Sequence, residues 1–66
     1  MAGNARGKLK EELEGILRNY SWIKVHCEKA KAIIGETHPE LHTFFDQTDA
    51  QVDSLGGITA GVLQSV

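Results

Sequence analysis

Apolar side chains recur along the first half of this chain in alternating steps of four and three: Leu9, Leu13, Ile16, Tyr20, Ile23, Cys27, Ala30 and Ile34. After the segment Gly35-Glu36-Thr37-His38-Pro39, a second row takes up the same step through Leu41, Phe45, Thr48, Val52 and Leu55. Heptad spacing of this kind keeps one stripe of a helix turned toward a neighbour. It predicts an all-α protein with a long helix over residues 8–34 and a shorter one over 39–55.

Local signals place the boundaries. Residues 1–7 are small, glycine-bearing and unpatterned, and read as a frayed arm. Gly35 sits where a left-handed backbone ends the first helix at no steric cost. Gly15 and the cap-like Asn19-Tyr20-Ser21 run each threaten continuity, but the unbroken row across both argues for one helix. Thr37 and Glu40 fit a capping box, and Pro39 suits the first helical turn. Gly56-Gly57 is expected to end or bend the second helix. Beyond it, residues 58–66 carry no charge, and Thr59, Val62 and Val66 keep the heptad step as a C-terminal helical tail. Sixty-six residues form a single helical domain.

A short turn makes consecutive helices antiparallel neighbours. If Ile34 faces Leu41, facing residue numbers sum to about 75. The layers then read Ile34/Leu41, Ala30/Phe45, Cys27/Thr48, Ile23/Val52 and Tyr20/Leu55, continuing through Ile16/Thr59, Leu13/Val62 and Leu9/Val66. This antiparallel hairpin does not absorb Leu17, Trp22, Val25, Ile33 or Phe44, which become the candidate dimer or partner interface. A chain of this size buries only ~60% of its unfolded surface, and one cysteine excludes an internal disulfide. Two hairpins packed as a four-helix bundle would supply the missing core. A homodimer is therefore expected.

Charge changes the picture along the chain rather than in total. All seven basic residues precede residue 32, against four acids up to Gly35; from Glu36 onward there are five acids and no Lys or Arg. The split is read as two helices that attract each other, with Lys10, Lys24 and Lys31 on one flank of the seam and Asp49 on the flank facing it. The alternative is a nucleic-acid-binding regulator using Arg6, Lys8, Lys10, Lys24, Lys29 and Lys31 to track phosphates. A pI near 5.8 and the long first helix speak against it, unless that helix breaks at Asn19–Ser21. No apolar run spans a membrane, and Met1–Lys10 lacks the hydrophobic stretch of a signal peptide. With a lone thiol, the expectation is a cytoplasmic protein.

Candidate chemistry is thin. His38 and His42 stand at i, i+4, and Cys27 adjoins His26, but zinc modules need paired close spacings that are missing here. In the hairpin register Cys27 lies about 10 Å along the helix from the histidine pair. His38 reads as a turn residue and His42 as a solvated flank residue. Cys27 reads as core filler, because adjacent helical residues point ~100° apart and His26 cannot serve it as a base. Glu11, Glu12 and Glu14 suit an early helical turn better than an acid/base site. Gly56-Gly57 lacks the strand and lysine of a phosphate loop. No catalytic residue, cofactor site or metal site is expected, and the chain is read as non-enzymatic.

The run Leu17-Arg18-Asn19-Tyr20-Ser21-Trp22-Ile23-Lys24, with Leu13 and Ile16 before it, resembles the N-terminal helix of small late-operon transcription regulators of Gram-positive phages. The likeness covers about a dozen residues and omits that family's downstream DNA-reading helices, so no residue roles carry over. It implies a bacterial or phage origin and a regulatory role. The reading from sequence is a small interaction protein that self-associates and modulates a protein partner, with a phage structural or assembly adaptor as a further alternative.

Overall fold

Two helices joined by four residues make up the protein: α1 runs Gly3–Ile34 and α2 runs Pro39–Ser65. The computed structural model describes residues 3–66, and side chains from residue 5 onward. Met1 and Ala2, the tip of the expected frayed arm, lie outside the described residues. The rest of that arm forms the first turns of α1.

Backbone chemistry explains the turn. Gly35 adopts the left-handed conformation at φ 59° and donates its N–H to the Lys31 carbonyl at 3.0 Å. This αL arrangement satisfies one of the carbonyls a helix end leaves open. Thr37 closes another: its N–H and its hydroxyl both donate to the Ile34 carbonyl, at 3.1 and 2.5 Å. Thr37 therefore serves the end of α1, and the expected capping box with Glu40 does not form. The residue at the α2 N-cap is His38, which makes no side-chain cap and stands at φ 54°, ψ 64°. Pro39 disfavours the right-handed helical region for the residue before it, and histidine tolerates the left-handed one better than most side chains. Pro39 itself opens α2, as expected.

Neither suspected break interrupts a helix. At Asn19–Ser21 the Ser21 hydroxyl turns back to the Leu17 carbonyl at 3.3 Å, so it does not cap a new helix. Gly56 and Gly57 lie inside α2, which continues ten residues past Leu55 to Ser65. The expected stop at residue 55 is thus corrected. Helical packing outweighs a weak local propensity: Val52 on one side of the glycines is buried, and Thr59, Ala60 and Leu63 on the other are half-buried.

The antiparallel hairpin holds, but its seam differs from the expected one. Positions 24 and 53, 31 and 46, and 35 and 42 are joined by side-chain bonds, and each pair sums to 77. Gly56 adjoins the Tyr20 ring, a sum of 76. The residues Leu13, Tyr20, Cys27 and Ile34, and Phe45, Val52, Thr59 and Val66, remain in the seam as expected. The intervening set changes. Leu17, Lys24 and Lys31 on α1, with His42, Asp49, Gly56 and Leu63 on α2, are half-buried. Ile16, Ile23, Leu41, Leu55 and Val62, which the 75 register placed inside, are 38–46% exposed. Both helices are rolled toward their charged edges, where lysine and aspartate can meet.

The opposite conformational demands at two glycines give a test. Gly35→Ala forces a Cβ into the left-handed region and should lower the unfolding free energy by about 1–2 kcal/mol. Gly57→Ala, in mid-helix where an added Cβ meets nothing within 4 Å, should raise it by about 1 kcal/mol. Urea titrations followed by circular dichroism read both; equal signs would contradict the backbone described here.

Candidate interaction face

The two long edges of the hairpin differ in chemistry. One carries the ion pairs. Lys24 bonds Asp53, and Lys31 bonds Asp46 at 3.0 Å and Glu28, one turn away on its own helix, at 3.2 Å. The hydrogen bond that Lys24 donates to the Asp53 carboxylate raises the Lys24 ammonium above its ordinary pKa, partly opposed by desolvation, with the charges of Asp53, Asp49 and Glu28 adding to the rise. Hydrogen bonds that Lys31 donates to Asp46 and then Glu28 do the same for Lys31. Asp49, the expected partner of the lysine flank, lies on this edge but bonds neither lysine; its Oδ1 is shielded and accepts no hydrogen bond. A shallow groove beside the pairs is lined by Leu17, Tyr20, Ser21, Lys24, Val52, Asp53 and Gly56.

The other edge is apolar and open. Residues seven apart share a heptad stripe, so Ile16, Ile23 and Ala30, flanked by Asn19, His26 and Ile33, form the α1 side of one face. Leu41, Thr48, Leu55 and Val62, flanked by Phe44, Gln51 and Ile58, form the α2 side. All eight large aliphatic or aromatic residues in this set are exposed, up to 84% at Ile33. Phe44 and Phe45 stand edge to face with ring centroids 5.1 Å apart, linking the face to the seam. Among the described residues only Cys27 and Val52 are buried. The hairpin has almost no interior of its own.

The residues singled out from sequence fall in three places. Ile33 and Phe44 belong to the open face. Trp22 lies at its rim, 61% exposed, its ring centroid 6.4 Å from that of His26, and Val25 sits behind it on the back of α1. Leu17 is half-buried at the charged groove, on the other edge. Ile16, Ile23, Leu41, Leu55, Ile58 and Val62 were not assigned to an interface. The signal that finds them is electrostatic: Lys24/Lys31 and Asp46/Asp53 repeat at seven with opposite sign, which pulls that edge shut and turns the other out.

The histidines go to separate partners. His38 Nδ1 lies 3.4 Å from Glu40. His42 is half-buried and donates from Nε2 to the Gly35 carbonyl, tying the first turn of α2 to the end of α1. It is not the solvated flank residue expected. Among the described residues no group of three or more His, Cys, Asp or Glu is close enough to hold a metal ion, and no helix is long and apolar enough to cross a membrane. Of the six cations considered for nucleic acid, Lys24 and Lys31 are committed to carboxylates, whereas Arg6, Lys8, Lys10 and Lys29 are exposed. Comparison with known families, curated proteins and solved structures matches the chain to none of them.

The raised lysines fix the sign of a pH effect. Their contribution is full below the ordinary lysine pKa of 10.5 and is lost as pH climbs through the higher folded values. The thermal midpoint should hold from pH 8 to 10 and fall above about 10.5. In Lys24→Gln/Lys31→Gln the midpoint at pH 8 should be lower and its alkaline fall shallower; an unchanged alkaline profile would remove these pairs from the stability of the fold.

Proposed function

We propose that this chain is a small, non-enzymatic interaction protein that self-associates through its apolar face and modulates a protein partner. The observation that carries the reading is the open face itself: eight large apolar side chains along one edge, opposite an edge closed by ion pairs. Contiguous exposed apolar surface of this kind marks an interaction site. The amount fits as well. The chain exposes 4886 Å², against about 4100 Å² for a compact monomer of its mass. The excess is close to the ~800 Å² that one partner contributes to a standard interface.

Trp22 and Val25 lie outside the face, at the rim and back of α1. They leave a second, smaller apolar patch for a different protein once the face is covered. A nucleic-acid-binding role has less support, because two of its six cations are already paired and α1 does not break into the short, steeply crossed helices such readers use.

Equilibrium sedimentation at micromolar concentration should give twice the 7.2 kDa chain mass, and the thermal midpoint should rise with protein concentration. Leu55→Glu or Ile23→Glu should shift the chain to monomer and lower its midpoint, while Ala50→Glu, on the exposed back of α2, should leave both unchanged. A stable monomer at these concentrations would refute self-association. Salt-dependent binding of the wild-type chain to duplex DNA at low ionic strength would favour the nucleic-acid reading instead.

A further inference from the structure

We infer that the occupant of the apolar face is a second copy of this chain, related by a two-fold axis parallel to the helices, so that both turns lie at the same end of a four-helix bundle. The inference rests on the self-association proposed above and specifies its geometry.

Two arrangements can bring the same face of two hairpins together with two-fold symmetry. In one, the axis runs along the helices, and α1 of each copy packs on α2 of the other. In the other, the axis runs across them, and each helix packs on its own counterpart. Charge separates the two. α1 carries seven basic and four acidic residues, a net +3; α2 carries Glu40, Asp46, Asp49 and Asp53 with no Lys or Arg, a net −4. The parallel axis surrounds each basic helix with acidic ones, inside its own chain and across the interface. The transverse axis stacks like on like, which costs energy and excludes wrong pairings.

The height of the apolar residues along the hairpin agrees. Residues whose numbers sum to 77 lie level within a chain, and an axis parallel to the helices carries that register across the interface unchanged. Ile33 then comes level with Phe44 of the second copy, Ile16 with Val62 to within one residue, and Ile23 with Leu55 to within one residue. The polar His26 comes level with the polar Gln51. A transverse axis through Lys24 also levels apolar groups, Phe44 with Val62 and Ile16 with Ile33 to within one residue, so height permits either axis and the charge pattern decides between them.

The layout also explains which residues the hairpin leaves half-buried in its own seam. Rolling each helix the other way would bury Ile16, Ile23, Leu41 and Leu55 in place of Lys24, Lys31 and Asp49. A lone hairpin gains apolar burial by that roll. A hairpin whose apolar edge meets a second copy keeps its charges at the outer edge and its aliphatic side chains for the interface.

The test is a distance between turns. In a Cys27→Ala background, a spin label at Glu36→Cys reports one position at each turn, and double electron–electron resonance reads the separation in the dimer. Neighbouring helices lie about 10 Å apart, so the parallel axis predicts a label separation of roughly 10–30 Å. A transverse axis near Ile23 or Lys24 lies 12–13 residues from Glu36 in each copy, which at about 1.5 Å per residue puts the turns roughly 40 Å apart. A second measurement needs no substitution. In a dimer mixed from isotope-labelled and unlabelled wild-type chains, intermolecular NOEs should join the Ile33 methyls to the Phe44 ring. A separation of about 40 Å or more, or NOEs from Ile23 to Ile23 with none from Ile33 to Phe44, overturns the orientation while leaving self-association intact. A monomeric wild-type chain overturns the self-association itself, and the orientation with it.

Discussion

Two helices touch along a line, and a line encloses nothing. Every feature of this chain follows from that geometric limit. Among the described residues the seam buries one thiol and one valine, and everything else in it stays partly wet. The radius of gyration, 15.6 Å, exceeds the roughly 11 Å of a compact domain of this length, because the chain is drawn out into two long rods. Apolar side chains that would fill the middle of a larger domain must lie at an edge here. The protein therefore has a face in place of a core.

Within that limit the ion pairs select which edge opens. Exposed pairs stabilise a fold little, and Lys24–Asp53 and Lys31–Asp46 lie in reach of solvent. Their effect is directional. Both lysines are on one side of the α1 stripe and both aspartates on the matching side of α2, so meeting requires both helices to roll the same way. That roll brings Lys31 and Asp49 into the seam and leaves five aliphatic residues of the opposite flank 38–46% exposed. Asp49 Oδ1, shielded without a hydrogen bond, is one cost of the arrangement. The His42 bond to Gly35 holds the same register at the turn, where it also satisfies a carbonyl at the end of α1.

The heptad rows were sufficient to read two helices, their antiparallel pairing and half of the seam, since Leu13, Tyr20, Cys27, Ile34, Phe45, Val52 and Thr59 hold their places. For the other half, hydrophobic spacing pointed to the wrong flank: the row Leu9, Ile16, Ile23, Ala30 is apolar throughout, whereas Lys10, Leu17, Lys24, Lys31 holds one apolar residue. Only the long-range match of Lys24/Lys31 with Asp46/Asp53 favours the second row. Gly56-Gly57 misleads for a different reason. Local propensity marks it as a stop, and only the burial of Val52 and the partial burial of Leu63 on either side show why the helix continues. At Thr37 the residue type pointed to a cap, but the αL geometry of Gly35 turned its hydroxyl back to α1 before α2 begins.

The same charge pattern that rolls the helices also constrains what can cover the face. A cover must bring apolar side chains at heptad spacing, and it must tolerate a basic helix on one side of the face and an acidic helix on the other. A partner with a uniformly charged rim would be attracted along one helix and repelled along the other. A surface of opposite sense, acidic beside α1 and basic beside α2, meets both conditions at once. This chain presents that surface itself when turned about an axis along its own helices, since α2 then comes over α1 and α1 over α2. Self-complementarity in charge thus coincides with level matching of Ile33 with Phe44. Trp22 and Val25 lie outside both patterns: neither the seam nor the face uses them, and in the proposed bundle they would form a small apolar patch on the outside of a basic helix.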